Sequence, residues 1–301
     1  MRMQNRREST NVRDLRGRRG AQMAGGLGLG GLAVVALLAY LTGGNPLSAV
    51  LSAVSSGAGG GGTAMSQEAY VPSAEEEELK VFITQVLGGT EDVWKQLFAE
   101  MGRSYEDPTL VLFTRETRSG CGGATAQTGP FYCSADQCVY LDLSFFHTME
   151  TELKAGGDFA FAYVIGHEVG HHVQHLLGTL DEVHQKMAHM DKESANQMSV
   201  RLELQADFLA GVWAHHDNTR FHSLEKGDIA EGIRCAGAIG DDRLQEKAGR
   251  VVRPDTFTHG TSNAREVWFN KGYETGDLRA GDTFSVPFEE LYPEEGISGS
   301  W

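Results

Sequence analysis

Residues 161 to 178 read FAYVIGHEVGHHVQHLLG, an apolar stretch carrying four histidines and one glutamate. Titratable groups inside an apolar helix are costly unless something binds them. Five of these residues, His167-Glu168-Val169-Gly170-His171, form an H-E-x-x-H pattern. Side chains four apart on a helix point within about 40° of each other, so His167 and His171 share a face. Two imidazole nitrogens so placed can meet one Zn2+ at about 2.0–2.1 Å. Glu168 points to one side, where a general base for a water molecule would stand. A catalytic zinc needs a third protein ligand and an open position. His175 cannot supply it, because eight residues of helix put it roughly 12 Å from His167. His172 faces another side. Both are expected to be polar residues flanking the site. The run HEVGHHVQHLL also lacks the third-histidine spacing of a metzincin.

The third ligand must come from another element. SVRLELQADFLAGVWAHH, residues 199 to 216, is mainly apolar, yet it places Glu203 and Asp207 one helical turn apart. A buried carboxylate needs a partner, and a cation is one. Glu203 is expected to bind the zinc. Asp207 is expected to accept the N–H of a zinc-binding imidazole, His167, and so orient it. The competing reading pairs Glu203 with Arg201 in a structural ion pair. For the oxyanion of a tetrahedral intermediate the candidate donor is His259 in THGTS, against its reading as a turn histidine beside Gly260. Tyr132 is the weaker candidate, since hairpin aromatics are usually core. The strand CVYLDL, residues 138 to 143, either lines the cleft and receives an extended peptide or is internal with its bonds already made. Asp142 on it reads as structural.

These residues need a scaffold. Apolar spacing predicts two short helices between residues 79 and 102, broken at Gly88-Gly89. PTLVLFT predicts a strand, and GPFYCSADQCVYLDLSFF a hairpin turning at Ser134 to Gln137. Further helices are expected near 144–154, 158–178, 192–217, 225–239 and 262–274. Many helices with a small antiparallel sheet make an α+β domain.

The 301 residues carry a net charge of −15. Residues 1–20 hold seven arginines against Glu8 and Asp14, a balance of +5 that leaves −20 for the rest. So acidic a body argues against nucleic acid as a partner. AQMAGGLGLGGLAVVALLAYL, residues 21–41, is uncharged and, as a helix, spans roughly 30 Å, the thickness of a bilayer core. It is expected to be a transmembrane anchor rather than a cleaved signal peptide. The arginines before it then mark the cytoplasmic side, and the body lies across the cell membrane. Gly26 and Gly30 offer only a weak helix-packing pair. The expected organisation is a basic cytoplasmic segment 1–20, an anchor 21–41, a Gly/Ser-rich and acidic linker 42–78, a metallopeptidase domain 79–290 and a tail 291–301. The EEEE run at 75–78 reads as a solvated tether end. Four cysteines on the exported side suggest two disulfides, Cys121–Cys133 and Cys138–Cys235.

GPFYCSADQCVYLDLSFF, FAYVIGHEVGHHVQHLLG, SVRLELQADFLAGVWAH, AIGDDRLQ and HGTSNAREVWFNKGYETGD together resemble the bacterial "putative neutral zinc metallopeptidase" family over roughly residues 75 to 285. Phe208 stands where relatives often carry cysteine, and Cys138 and Cys235 look atypical. The resemblance implies a membrane-anchored, gluzincin-type zincin with one Zn2+ held by His167, His171 and Glu203, which agrees with the geometric reading. It does not supply a substrate. The expected function is hydrolysis of peptide or protein substrates by metal-activated water with Glu168 as base. The alternative is a non-catalytic, zinc-stabilised binding domain outside the cytoplasm. A pore or transport component has only one membrane span behind it.

Overall fold

In the computed structural model, residues 1–17, 70–249 and 251–292 are described. Helix α1 (Ala74–Glu100) opens the main body, capped by Ser73 and Glu76 in a reciprocal capping box. The acidic run 75–78 is therefore the first turn of a helix, where carboxylates complement the exposed N–H groups. α1 runs straight through Gly88 and Gly89, so the expected break does not occur. The glycines serve close approach instead. A Cβ on Gly88 would lie 2.8 Å from the Arg7 carbonyl, and one on Gly89 would strike the Arg6 guanidinium.

Four strands form the main sheet, β1 (Val12–Asp14), β2 (Thr109–Phe113), β5 (Phe131–Cys133) and β6 (Cys138–Asp142), in the order β1-β2-β6-β5. β1 pairs parallel with β2, and β2 parallel with β6. β5 and β6 form the expected hairpin, with Cys133 opposite Cys138. A separate hairpin joins β3 (Glu116–Ser119) and β4 (Gly122–Thr125). β6 is thus internal, the second of its two readings, and β5 is the sheet edge. Asp142 is structural, accepting the backbone N–H groups of Arg115 and Ser144 at 2.7 and 3.0 Å.

After α2 (Ser144–Thr148) and a π turn, the central helix α3 (Asp158–Leu177) begins at Gly157 and stops at the left-handed Gly178. Then come α4 (Thr179–Met187), α5 (Lys192–Phe221), α6 (Asp228–Ala238), α7 (Asp241–Lys247) and α8 (Ser262–Thr275). The result is a mainly helical α+β fold whose main sheet is mixed and not antiparallel as expected, because β1, β2 and β6 run parallel. Its core unites Leu87 and Trp94 of α1, Leu110 of β2, Phe159 and Ile165 of α3, Trp213 of α5 and Phe269 of α8. Leu291 is fully buried in that core, so the body runs past the expected boundary at 290.

Residues 1–17 are part of this body, not a separate segment. Arg6 makes a two-pronged ion pair with Asp217, and Arg7 reaches Asp92 and Glu91. Ser9 donates to Glu91, while Arg16 bridges Asp14 and Glu77. Among the described residues no helix is long and apolar enough to cross a membrane. The anchor expected at 21–41, most of the linker at 42–78 and residues 293–301 of the tail lie outside the described residues.

One disulfide matches expectation. Cys121–Cys133 ties the turn of the β3–β4 hairpin to the edge strand. Cys138 and Cys235 are both free and buried, which corrects the second expected bridge. Cys138 sits in a small cluster with Val111 and Tyr140, whereas Cys235 belongs to the main core.

The arm's buried ion pair predicts its energetic weight. The Arg6 and Asp217 side chains are 9% and 1% exposed. Arg6→Ala should destabilise the fold by about 3 kcal/mol, because it strands a buried carboxylate. Arg2→Ala, whose partner Glu225 is half exposed, should cost less than about 1 kcal/mol. Chemical denaturation of the two variants tests the difference.

Candidate metal centre

The two helices that carry the site approach closely because α3 has glycines on the contacting face. A Cβ on Gly166 would meet the Trp213 ring at 2.8 Å, and one on Gly170 the Ala206 carbonyl at 2.9 Å. This brings Glu203 of α5 beside His167 and His171 of α3. His167 Nε2 lies 3.2 Å from one Glu203 oxygen and His171 Nε2 lies 3.5 Å from the other. Tetrahedral zinc with bonds near 2.0–2.2 Å needs donors about 3.4 Å apart. The two His–Glu spacings are close to this value and all three ligand atoms lie within 4.8 Å of one another, so the residues could hold one ion; among the described residues they are the one group of His, Cys, Asp or Glu so placed. Arg201, the rival partner of Glu203, donates instead to the carbonyls of Thr283 and Val286.

The far sides of both imidazoles are fixed. His167 Nδ1 donates to Asp207 Oδ1 at 2.7 Å, as expected for an orienting carboxylate. His171 Nδ1 donates to Gln174 Oε1 at 2.9 Å, and the Gln174 amide is itself held by the Leu202 carbonyl. Both Nε2 atoms are left as the metal-facing donors. Asp207 is fully buried and collects more donors: the Tyr163 hydroxyl and the Arg265 guanidinium, whose Nε and Nη2 lie 2.8 and 3.0 Å away. Burial by itself would raise the Asp207 carboxyl, but the Arg265 and His167 charges outweigh it and hold the group at about 2. Burial also opposes a charge on His167, yet Asp207 and Glu203 lift it to about 10. The site is built to stabilise positive charge at this point.

Glu168 is 8% exposed and lines the same cleft of about 480 Å³. Its carboxylate has no hydrogen-bond partner among the described residues, so it is uncommitted. His259 also lines the cleft, with a half-exposed side chain. Asp241 accepts its backbone N–H at 2.6 Å and lies 3.3 Å from its Nδ1. Burial works against charge on His259, but Asp241 prevails and the imidazole is raised above its ordinary value. Tyr132 is not so available: its hydroxyl donates to His172 Nδ1 at 2.9 Å, while His172 Nε2 donates to the Glu106 carbonyl at 2.7 Å. His172 is consequently a buried structural residue rather than a flanking polar one. His175 pairs with Asp181 outside the donor set.

Sequence reasoning missed Tyr163, Gln174, Asp241, Arg265 and the cleft residue His184. Tyr163 and Gln174 stand four and three residues from the two ligand histidines, so helical spacing could have marked them. Asp241 and Arg265 carried no local signal.

A His-His-Glu cluster that could hold a metal ion, in an open cleft of a mainly helical α+β scaffold beside a free carboxylate, is the arrangement expected of a metallopeptidase-like protein. The chain matches, over residues 1–284, the family described as "putative neutral zinc metallopeptidase", and it belongs to that family. It is 44% identical over 293 residues to "Uncharacterized protein YpfJ" of Escherichia coli K12, covering 94% of this chain and 99% of the relative. It is 40% identical over 204 residues to "Uncharacterized protein Rv2575" of Mycobacterium tuberculosis H37Rv, covering 64% of this chain and 67% of that protein. No solved structure matches.

The Asp207 hub predicts a pH dependence. The folded protein holds Asp207 at about 2, against an ordinary value of 3.8. Its charge therefore favours folding above about pH 4, and this contribution, about 2 kcal/mol, is lost as pH falls towards 2. His167 stays protonated throughout that window and adds no slope. Unfolding of chelator-treated protein should show the stability gap between wild type and Asp207→Asn narrowing on acidification from pH 5 to 2.5. A constant gap would remove Asp207 from this role.

Proposed function

We propose that the chain is a zinc-dependent peptidase of the gluzincin type, held at a membrane through segment 21–41. One observation carries the reading: two histidines and a glutamate bring their ligand atoms within 4.8 Å of one another in an open cleft beside an uncommitted glutamate. His167, His171 and Glu203 would hold a single ion. When bound, zinc supplies Lewis acidity, polarising a peptide carbonyl and making a water molecule acidic. Glu168 takes the proton from that water and returns it to the leaving amine. His259, kept in place by Asp241, donates to the developing oxyanion. The open edge of β5 accepts an extended peptide through its backbone groups, next to the cleft-lining Gly129, Pro130 and Phe131.

The non-catalytic alternative is weaker on chemical grounds. Structural zinc sites are closed by four protein ligands, whereas this one offers three in a cleft. The Cys121–Cys133 disulfide supports an oxidising compartment for the domain, outside the cytoplasm.

Glu168→Gln should retain zinc in metal analysis while peptide hydrolysis falls by about 10²–10⁴-fold. Wild-type cleavage of a peptide library should vanish with chelator and return with zinc. Full activity of the variant would remove Glu168 as the base, and zinc-bound protein that cleaves nothing would favour the binding-domain reading.

A further inference from the structure

The N-terminal arm bears on how the chain meets a membrane. Residues 1–17 do not simply lie on the surface. β1 extends the main sheet, with Val12, Arg13 and Asp14 in register with Leu110, Val111 and Leu112. The Leu110 N–H donates to the Asn11 carbonyl, and the Leu15 N–H to the Leu112 carbonyl, both at 2.8 Å. The Ser9 N–H donates to the Thr84 carbonyl of α1 at 2.9 Å. Two buried carboxylates of the body take their cationic partners from the arm. Asp217 takes both prongs of Arg6, and Glu91 accepts from Ser9 and Asn11 and pairs with Arg7. The glycine pair in α1 leaves room for it.

The same contacts give the arginines a second explanation. An Arg cluster before an apolar stretch reads as a cytoplasmic signal because lysine and arginine resist export. Here Arg2, Arg6, Arg7 and Arg16 each face a carboxylate of the folded body or arm. A single crossing between the arm and α1 would put about 30 Å of hydrocarbon between these partners. Every contact between arm and body would then be lost within one chain.

We infer that residues 1–17 are a constitutive part of the metallopeptidase domain and lie on its side of any membrane entered by segment 21–41. The chain therefore makes no net single crossing between arm and body, and the N-terminus shares a compartment with the candidate metal centre. This holds whether or not the cleft hydrolyses peptides.

Two exposed positions with no side-chain partner among the described residues, Thr10 and Glu246, allow a direct test in the full chain. Thr10→Cys and Glu246→Cys are each treated with a membrane-impermeant maleimide in intact spheroplasts and after lysis. Both should show the same intact-to-lysed labelling ratio. A second measurement joins arm to body: Arg7→Cys with Asp92→Cys should form an intramolecular link with a short bismaleimide in native membranes. If one site labels in intact spheroplasts and the other only after lysis, the inference is overturned. Equal labelling without the intramolecular link would overturn the constitutive docking.

Discussion

The Asp207 carboxylate is the interaction on which the site rests. It sits where α3, α5 and α8 meet and receives Tyr163 and His167 from the first and Arg265 from the last. A lone carboxylate there would be costly enough to neutralise itself. Arg265 keeps it ionised, and the ionised form accepts the Nδ1 proton of His167. That in turn presents His167 Nε2 to Glu203. The charge balance of the core and the aim of a metal ligand are one arrangement. Three helices must be correctly docked before either exists.

The same rule of compensation governs the other side of the molecule. Asp217 and Glu91 are buried carboxylates whose cations come from the arm instead of a neighbouring helix. α5 carries both systems, Glu203 and Asp207 towards the cleft and Asp217 nearly three turns further on. The helix that supplies the third candidate ligand is thus pinned at two points by ion pairs as well as by apolar packing. Long-range order in this chain comes from a few charges that must find partners.

Local spacing made part of this legible. His167 and His171 announce a shared helical face, and Glu203 and Asp207 stand out as carboxylates one turn apart in an apolar helix. What could not be read depends on partners distant in sequence. Arg265 belongs to an ordinary amphipathic helix until Asp207 is placed beside it. Gly88-Gly89 reads as a break because the arm that crosses it lies some eighty residues away. The arm's arginines read as a topological signal for the same reason: their acidic partners are scattered from Glu77 to Glu225. The hairpin was visible, but which of its strands is the open edge depends on β2 pairing with β6.

His171 and His172 show how a helix sorts identical side chains. Neighbouring residues point about 100° apart, so one imidazole faces the donor cluster and the next faces the sheet. His172 is wholly buried, and burial lowers it to about 4, so it stays neutral. Because Glu106 offers only a carbonyl, the His172 proton must sit on Nε2, which leaves Nδ1 to accept from Tyr132. That pair joins α3 directly to the edge strand β5. The Cys121–Cys133 bridge then joins β5 to the outer hairpin. The cleft wall is therefore tied to the helix bearing the candidate ligands by protein bonds alone. The spacing between β5 and the candidate donors of α3 is set by these protein contacts.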